Sequence, residues 1–68
     1  MDHGKTELLE AVGQIDSTLH KLRETVKTLQ SKENPGRYQS QITLAQRRIQ
    51  AFEIANGLIR KELEKQTD

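Results

Sequence analysis

From Leu8 onward the apolar residues fall at Leu8, Val12, Ile15, Leu19, Leu22, Val26 and Leu29, an unbroken alternation of four and three. That spacing is the mark of a helix whose apolar seam meets one neighbouring helix, with Val12, Leu19 and Val26 at heptad position a and the others at d. The alternation returns at Tyr38, Ile42, Ala45, Ile49, Phe52, Asn56, Ile59 and Leu63. Between the two runs lies Ser31-Lys32-Glu33-Asn34-Pro35-Gly36. Proline there forbids continuation of the first helix, and Asn34 can cap a new one with Pro35 in its first turn. A loop this short makes two long helices antiparallel neighbours. The pattern therefore predicts an all-α antiparallel two-helix hairpin, one domain over residues 1–68, with helices over about 5–32 and 37–65 and a turn over about 33–36. Seam pairing sets Val26 near Ile42, Ile15 near Phe52 and Leu8 near Ile59. His3 and the stretch from Lys65 to Asp68 are expected to fray.

A chain of 68 residues has room for one small domain, which buries a smaller share of its surface than a larger one does. It has no cysteine, so the disulfides that staple small secreted scaffolds are absent and a reducing compartment fits best. No run approaches the ~18 apolar residues of a membrane span, and Asp2 and Glu7 stand where a signal peptide would be apolar. The expected location is cytoplasmic. Formal charge is +1, and splitting the chain at Asn34 leaves five basic against six acidic residues before it and six against four after. Nucleic-acid binding calls for clustered Lys and Arg, and Lys and Arg are adjacent only as the isolated pairs Arg47-Arg48 and Arg60-Lys61. Tyr38 and Phe52 are too few for a base-stacking platform.

A hairpin buries one face of each helix, so apolar residues outside the seam need another account. The second helix has Leu44, Ala51 and Leu58 recurring every seven residues at c, Ala55 at g and Ile54 at f. The first adds Leu9 and Ala11 beside Leu8 and Val12. Both sets fall at the end away from the loop and are expected to form one contiguous patch of the kind that marks protein contact. Gly13 and Gly57 lie within the helices, where each costs about 1 kcal/mol relative to alanine; a missing side chain there would let a partner helix approach closely. The candidate partner-binding set is Leu9, Ala11, Gly13, Leu44, Ala51, Ile54, Ala55, Gly57 and Leu58. Asn56, a polar residue in the seam, either fixes register at a cost in stability or reaches solvent near a fraying end.

Three chemical readings fail on context. Gly4-Lys5-Thr6 matches the end of a phosphate-binding loop, but nothing upstream supplies the earlier glycine or the strand that presents it. Asp16, His20 and Glu24 stand four apart, a spacing more often taken by a solvated helix face than by a metal site. No candidate acid, base or nucleophile has a pocket-forming fold around it, so no catalytic residue, cofactor or metal ligand is assigned and the chain is not read as an enzyme.

Three segments carry a family resemblance: Gln14-Ile15-Asp16-Ser17-Thr18-Leu19-His20-Lys21-Leu22-Arg23, Tyr38-Gln39 after the loop, and Ala51-Phe52-Glu53-Ile54-Ala55-Asn56-Gly57-Leu58-Ile59. In length, hairpin layout and the order of these segments the chain resembles the small E-type chaperones of type III secretion systems, the YscE, PscE and AscE group. Both arms are longer here by about one helical turn next to the loop, and a matched lengthening preserves the seam. The resemblance implies a partner, a tetratricopeptide-like G-type chaperone, on which the hairpin sits as a stabilising lid. Through that partner it implies a role in holding the needle subunit, the F-type protein, soluble and unpolymerised in the bacterial cytoplasm until export. A related branch serves translocon components. The residues themselves also admit a homodimeric four-helix bundle acting as a regulator or structural spacer.

Overall fold

In the computed structural model the described residues are 4–66, so His3 and the last two residues of the expected fraying end lie outside them. The chain forms helix α1 (Lys5–Gln30), a single 3-10 turn (Pro35–Tyr38) and helix α2 (Gln39–Lys65), which pack as an antiparallel hairpin. It measures 52 × 17 × 14 Å, the cross-section of two helices side by side and nothing more. No helix among the described residues is long and apolar enough to cross a membrane.

Each end of α1 is set by its sequence. Gly4 is the N-cap: its carbonyl accepts the Leu8 N–H at 3.1 Å, and its own N–H donates to Glu7 Oε1 at 3.2 Å. This is half of a capping box, because glycine has no side chain to supply the other half. The glycine of the phosphate-loop-like tripeptide is thus a helix start. At the far end α1 stops two residues earlier than its periodicity predicts. There the Ser31 hydroxyl donates to the Thr28 carbonyl at 2.8 Å while its N–H is shared between the Lys27 and Thr28 carbonyls, both at 3.2 Å. Serine offers the backbone a local alternative to the next helical bond, and the ladder ends on it.

The connection is correspondingly longer than the expected four-residue turn. Asn34 precedes Pro35 as expected, but its side chain makes no capping bond; its backbone carbonyl accepts from Arg37 N–H at 3.0 Å instead. Proline at the first position tightens this into a 3-10 turn, since its fixed φ suits a helical start and it has no N–H to satisfy. No described residue, loop included, takes a left-handed backbone. Regular α-helix then resumes at Gln39 and runs to Lys65 without fraying there.

The seam is where the spacing places it. Leu8, Val12, Leu19, Val26, Ile42 and Ala45 are buried, and Ile15, Leu22, Leu29, Tyr38, Ile49, Phe52, Ile59 and Leu63 are half-buried. Near the loop Val26, Ile42 and Ala45 form a cluster on which Leu22, Leu29, Tyr38 and Ile49 pack, so Val26 and Ile42 are neighbours as expected. At the open end Leu8 and Ile59 share one concavity. Even the best covered side chains, Ile42 at 3% and Leu19 at 4% exposure, are not sealed completely, which is the limit two helices impose.

Asn56 is also in the seam, 5% exposed. Its Nδ2 donates to Asp16 Oδ1 at 2.6 Å, and Arg60 donates to Asp16 Oδ2 at 3.1 Å. The alternative in which Asn56 reaches solvent is therefore wrong, and Asp16 is no free member of a solvated row. No group of three His, Cys, Asp or Glu among the described residues could hold a metal ion. A second cross-helix ion pair joins Arg23 to Glu53. Side chains in both pairs are half-exposed, so each contributes little to stability. Their value is positional: all four residues sit at heptad position e, and antiparallel pairing brings e opposite e. Asn56 Oδ1 has no hydrogen-bond partner among the described residues, so the polar layer carries an uncompensated desolvation cost.

Two outcomes follow for stability. Leu19→Ala or Ile42→Ala should cost roughly 2–5 kcal/mol, a large part of the roughly 3–10 kcal/mol that a chain of this size commands, whereas Leu58→Ala should stay within about 0.5 kcal/mol; urea unfolding followed by circular dichroism reads all three. Asp16→Ala should cost about 1–3 kcal/mol by leaving the Asn56 amide unpaired. The same substitution should cost little once Asn56 is leucine, a coupling that a double-mutant cycle measures.

Candidate partner-binding face

Among the described residues the large exposed apolar side chains are Leu9 at 53%, Leu44 at 50%, Ile54 at 59% and Leu58 at 62%. Where they lie around the hairpin follows from the ion pairs. Asp16–Arg60 and Arg23–Glu53 mark the e–e flank, and Leu9 stands seven residues before Asp16 in the same row of α1. Gly13, four residues from Leu9, is its neighbour on that side. On α2, Leu44, Ala51 and Leu58 at c and Ala55 at g lie toward the other flank, with Ile54 at f on the back of the helix. Spacings of three and four make Ala51, Ile54, Ala55 and Leu58 one continuous surface, with Gly57 at b on its edge toward the ion-paired flank. Leu44 extends it by two turns toward the loop.

The expected single patch therefore divides. Most of it is one face of α2; Leu9 and Gly13 of α1 are separated from that face by the ion-paired flank. The spacing held the signal for this, because e meets e and g meets g when two heptad helices run antiparallel. Leu9 at e cannot share a flank with Leu58 at c, which borders g.

Ala11, at g on α1, belongs with the α2 face. It is half-buried and, with Glu7, Leu8 and Ile59, lines a concavity of about 420 Å³ at the open end. Farther along the same flank of α1, Thr18 and Thr25 donate their hydroxyls to the Gln14 and Lys21 carbonyls of their own helix, at 3.0 and 2.9 Å. Those hydroxyls make no demand on an incoming partner. On α1 the flank that borders the α2 face is thus lined by small residues with satisfied polar groups, next to leucine and isoleucine side chains that their own chain leaves half or more exposed.

No family model, curated protein or solved structure matches the chain. The face has to be interpreted from its own chemistry.

Apolar bulk without a titratable cluster serves packing, and a row of leucines seven apart suits a helix with the same repeat. An added methyl at Gly13 or at Gly57 would meet nothing within 4 Å, so neither glycine is required by the hairpin itself. Both sit at heptad position b, beside the ion-paired e row, but Gly57 also neighbours Ile54 three residues before it and so lies at the edge of the α2 face, whereas Gly13 neighbours only Leu9 of the exposed apolar residues. Gly57→Ala and Gly13→Ala should each stabilise the isolated chain by about 1 kcal/mol. In a binding assay with the cognate partner, Gly57→Ala should lose affinity and Gly13→Ala should not. Loss with Gly13→Ala would bring the Leu9 flank into the interface.

Proposed function

We propose that this chain is a non-catalytic docking hairpin, an E-type co-chaperone of a type III secretion system. It binds and stabilises a tetratricopeptide-like G-type chaperone, and the pair keeps the needle subunit soluble and unpolymerised in the bacterial cytoplasm before export. One observation carries the docking part: Leu44, Ile54 and Leu58 stand half or more exposed on one face of a hairpin whose best covered side chains still retain some exposure. A fold with so thin a core gains stability from any layer that covers that face. The secretion part rests on the resemblance of the Gln14–Arg23, Tyr38-Gln39 and Ala51–Ile59 segments to the E-type family.

The mechanism this reading supplies is mutual completion. A helical-repeat protein has apolar terminal surfaces that need capping, and a hairpin with one apolar outer face is a cap of the right kind. Covering the remaining six-tenths of Ile54 and Leu58 is worth about 1–2 kcal/mol for each. Because the partner binds the folded hairpin, it also raises the hairpin's melting temperature by mass action.

Changing Ile54 and Leu58 together to aspartate tests the reading. Neither side chain packs in the seam, so the isolated double mutant should keep its helical circular dichroism. Co-expressed with a tetratricopeptide-like G-type chaperone and a needle subunit, the mutant should fail to co-purify, since an unpaired carboxylate in an apolar interface costs several kcal/mol. The needle subunit should then be lost from the soluble fraction. Undiminished co-purification would place the interface elsewhere, and loss of helicity would return both residues to the core.

A further inference from the structure

The apolar face of α2 is bordered by charge of one sign where it approaches the loop. Arg47 and Arg48 follow Leu44 by three and four residues, positions at which side chains are surface neighbours. Both are exposed, and neither makes an ion pair among the described residues. This is unlike the opposite flank, where Arg23 and Arg60 are matched by Glu53 and Asp16. Within a turn of Arg47 and Arg48 on α2 stand Thr43, Leu44, Ala45, Gln50, Ala51 and Phe52, with no acidic residue among them. Beyond Leu58, Lys61 and Lys65 share their end of the face with Glu62 and Glu64. The unbalanced charge is therefore at the Leu44 end.

We propose that the occupant of this face is an amphipathic helix of another protein, its apolar stripe bordered by Asp or Glu side chains that meet Arg47 and Arg48. This rests on the docking reading above and adds the chemistry of the partner. A second copy of the chain fits less well. An isologous contact uses the same patch on both molecules, and overlaying the whole row sets Leu44 of one copy on Leu58 of the other. Arg47 and Arg48 then fall opposite Ala55 and Ile54, so two guanidiniums are carried toward apolar side chains with no carboxylate to receive them. An acidic stripe removes that cost and adds charge-assisted hydrogen bonds, for which arginine is the better donor. Such complementarity selects among partners that the leucine row alone would accept equally.

The test uses the full chain and two synthetic helical peptides about three heptads long, identical in their leucine stripe, one bordered by glutamate and the other by lysine. Binding is read by fluorescence anisotropy and self-association by sedimentation. The glutamate peptide should bind at least about ten-fold more tightly than the lysine peptide in about 0.05 M salt, and the difference should shrink several-fold in about 0.5 M. Arg47→Glu with Arg48→Glu should reverse the preference while leaving the helical spectrum unchanged, and Leu58→Asp should abolish binding of either peptide. Equal binding of both peptides, abolished by Leu58→Asp, would overturn the acidic partner and leave the docking face standing. Failure of both peptides to bind a monomeric chain would overturn the two together. A dimer that Leu44→Asp dissociates would make the second copy the occupant and overturn the proposal.

Discussion

Two helices can cover one another on one side only. That constraint lies under everything else in this molecule. It lets Leu19 and Ile42 approach full burial and leaves Ile15 and Phe52 only half-covered. It also exposes two flanks and two backs that a larger fold would use to build a second layer. The chain treats these surfaces unequally. One flank is closed by Asp16–Arg60 and Arg23–Glu53, whereas the face of α2 toward the other offers leucine, isoleucine and alanine to whatever can cover them. A hairpin finished on one side and open on the other has a built-in direction of assembly.

The polar layer at Asn56 shows how specificity and stability trade against each other in so small a core. An aliphatic residue at that position would bury more favourably, and one oxygen of the amide is left without a partner. What the asparagine supplies is a geometric condition: only the observed register brings its amide to Asp16 at 2.6 Å. A heptad seam by itself allows slippage by a whole repeat, because every layer resembles the next. One polar layer with a fixed opposite number makes the layers distinguishable. The adjacent ion pairs add little energy at their exposure but are satisfied by the same register.

The functional reading joins two independent lines. The exposed face of α2 gives an incomplete packing unit, and the resemblance in three segments supplies the proposed cellular setting, with a helical-repeat partner as the proposed covering layer. Geometry carries the first and the residues of the segments carry the second. They meet on Ala51–Ile59, which contains both seam and outer-face residues: Phe52, Asn56 and Ile59 pack inward while Ile54 and Leu58 face out. In the proposed function one stretch of helix would thereby couple the stability of the hairpin to occupancy of its outer side.

Much of this was legible in the spacing of the side chains. The four-and-three alternation determined both helices, their shared seam and their antiparallel sense, because a helix repeats every 3.6 residues and a proline in a short polar stretch leaves one place to turn back. It determined equally that Leu44, Ile54 and Leu58 lie outside the seam. Other features waited for the tertiary structure. The loop begins at Ser31 rather than two residues later because a side-chain hydroxyl competes for a backbone carbonyl, a contest that periodicity does not register. The partner of Asn56 is a residue forty positions away, fixed by register. The division of the apolar patch, with Leu9 and Gly13 on one flank and the α2 face turned away from them, depends on which rows face each other across the pair. Counting charge by halves of the chain hid the sidedness of Arg47 and Arg48 for the same reason: partners are met by faces, and a face is assembled from residues that the sequence keeps apart.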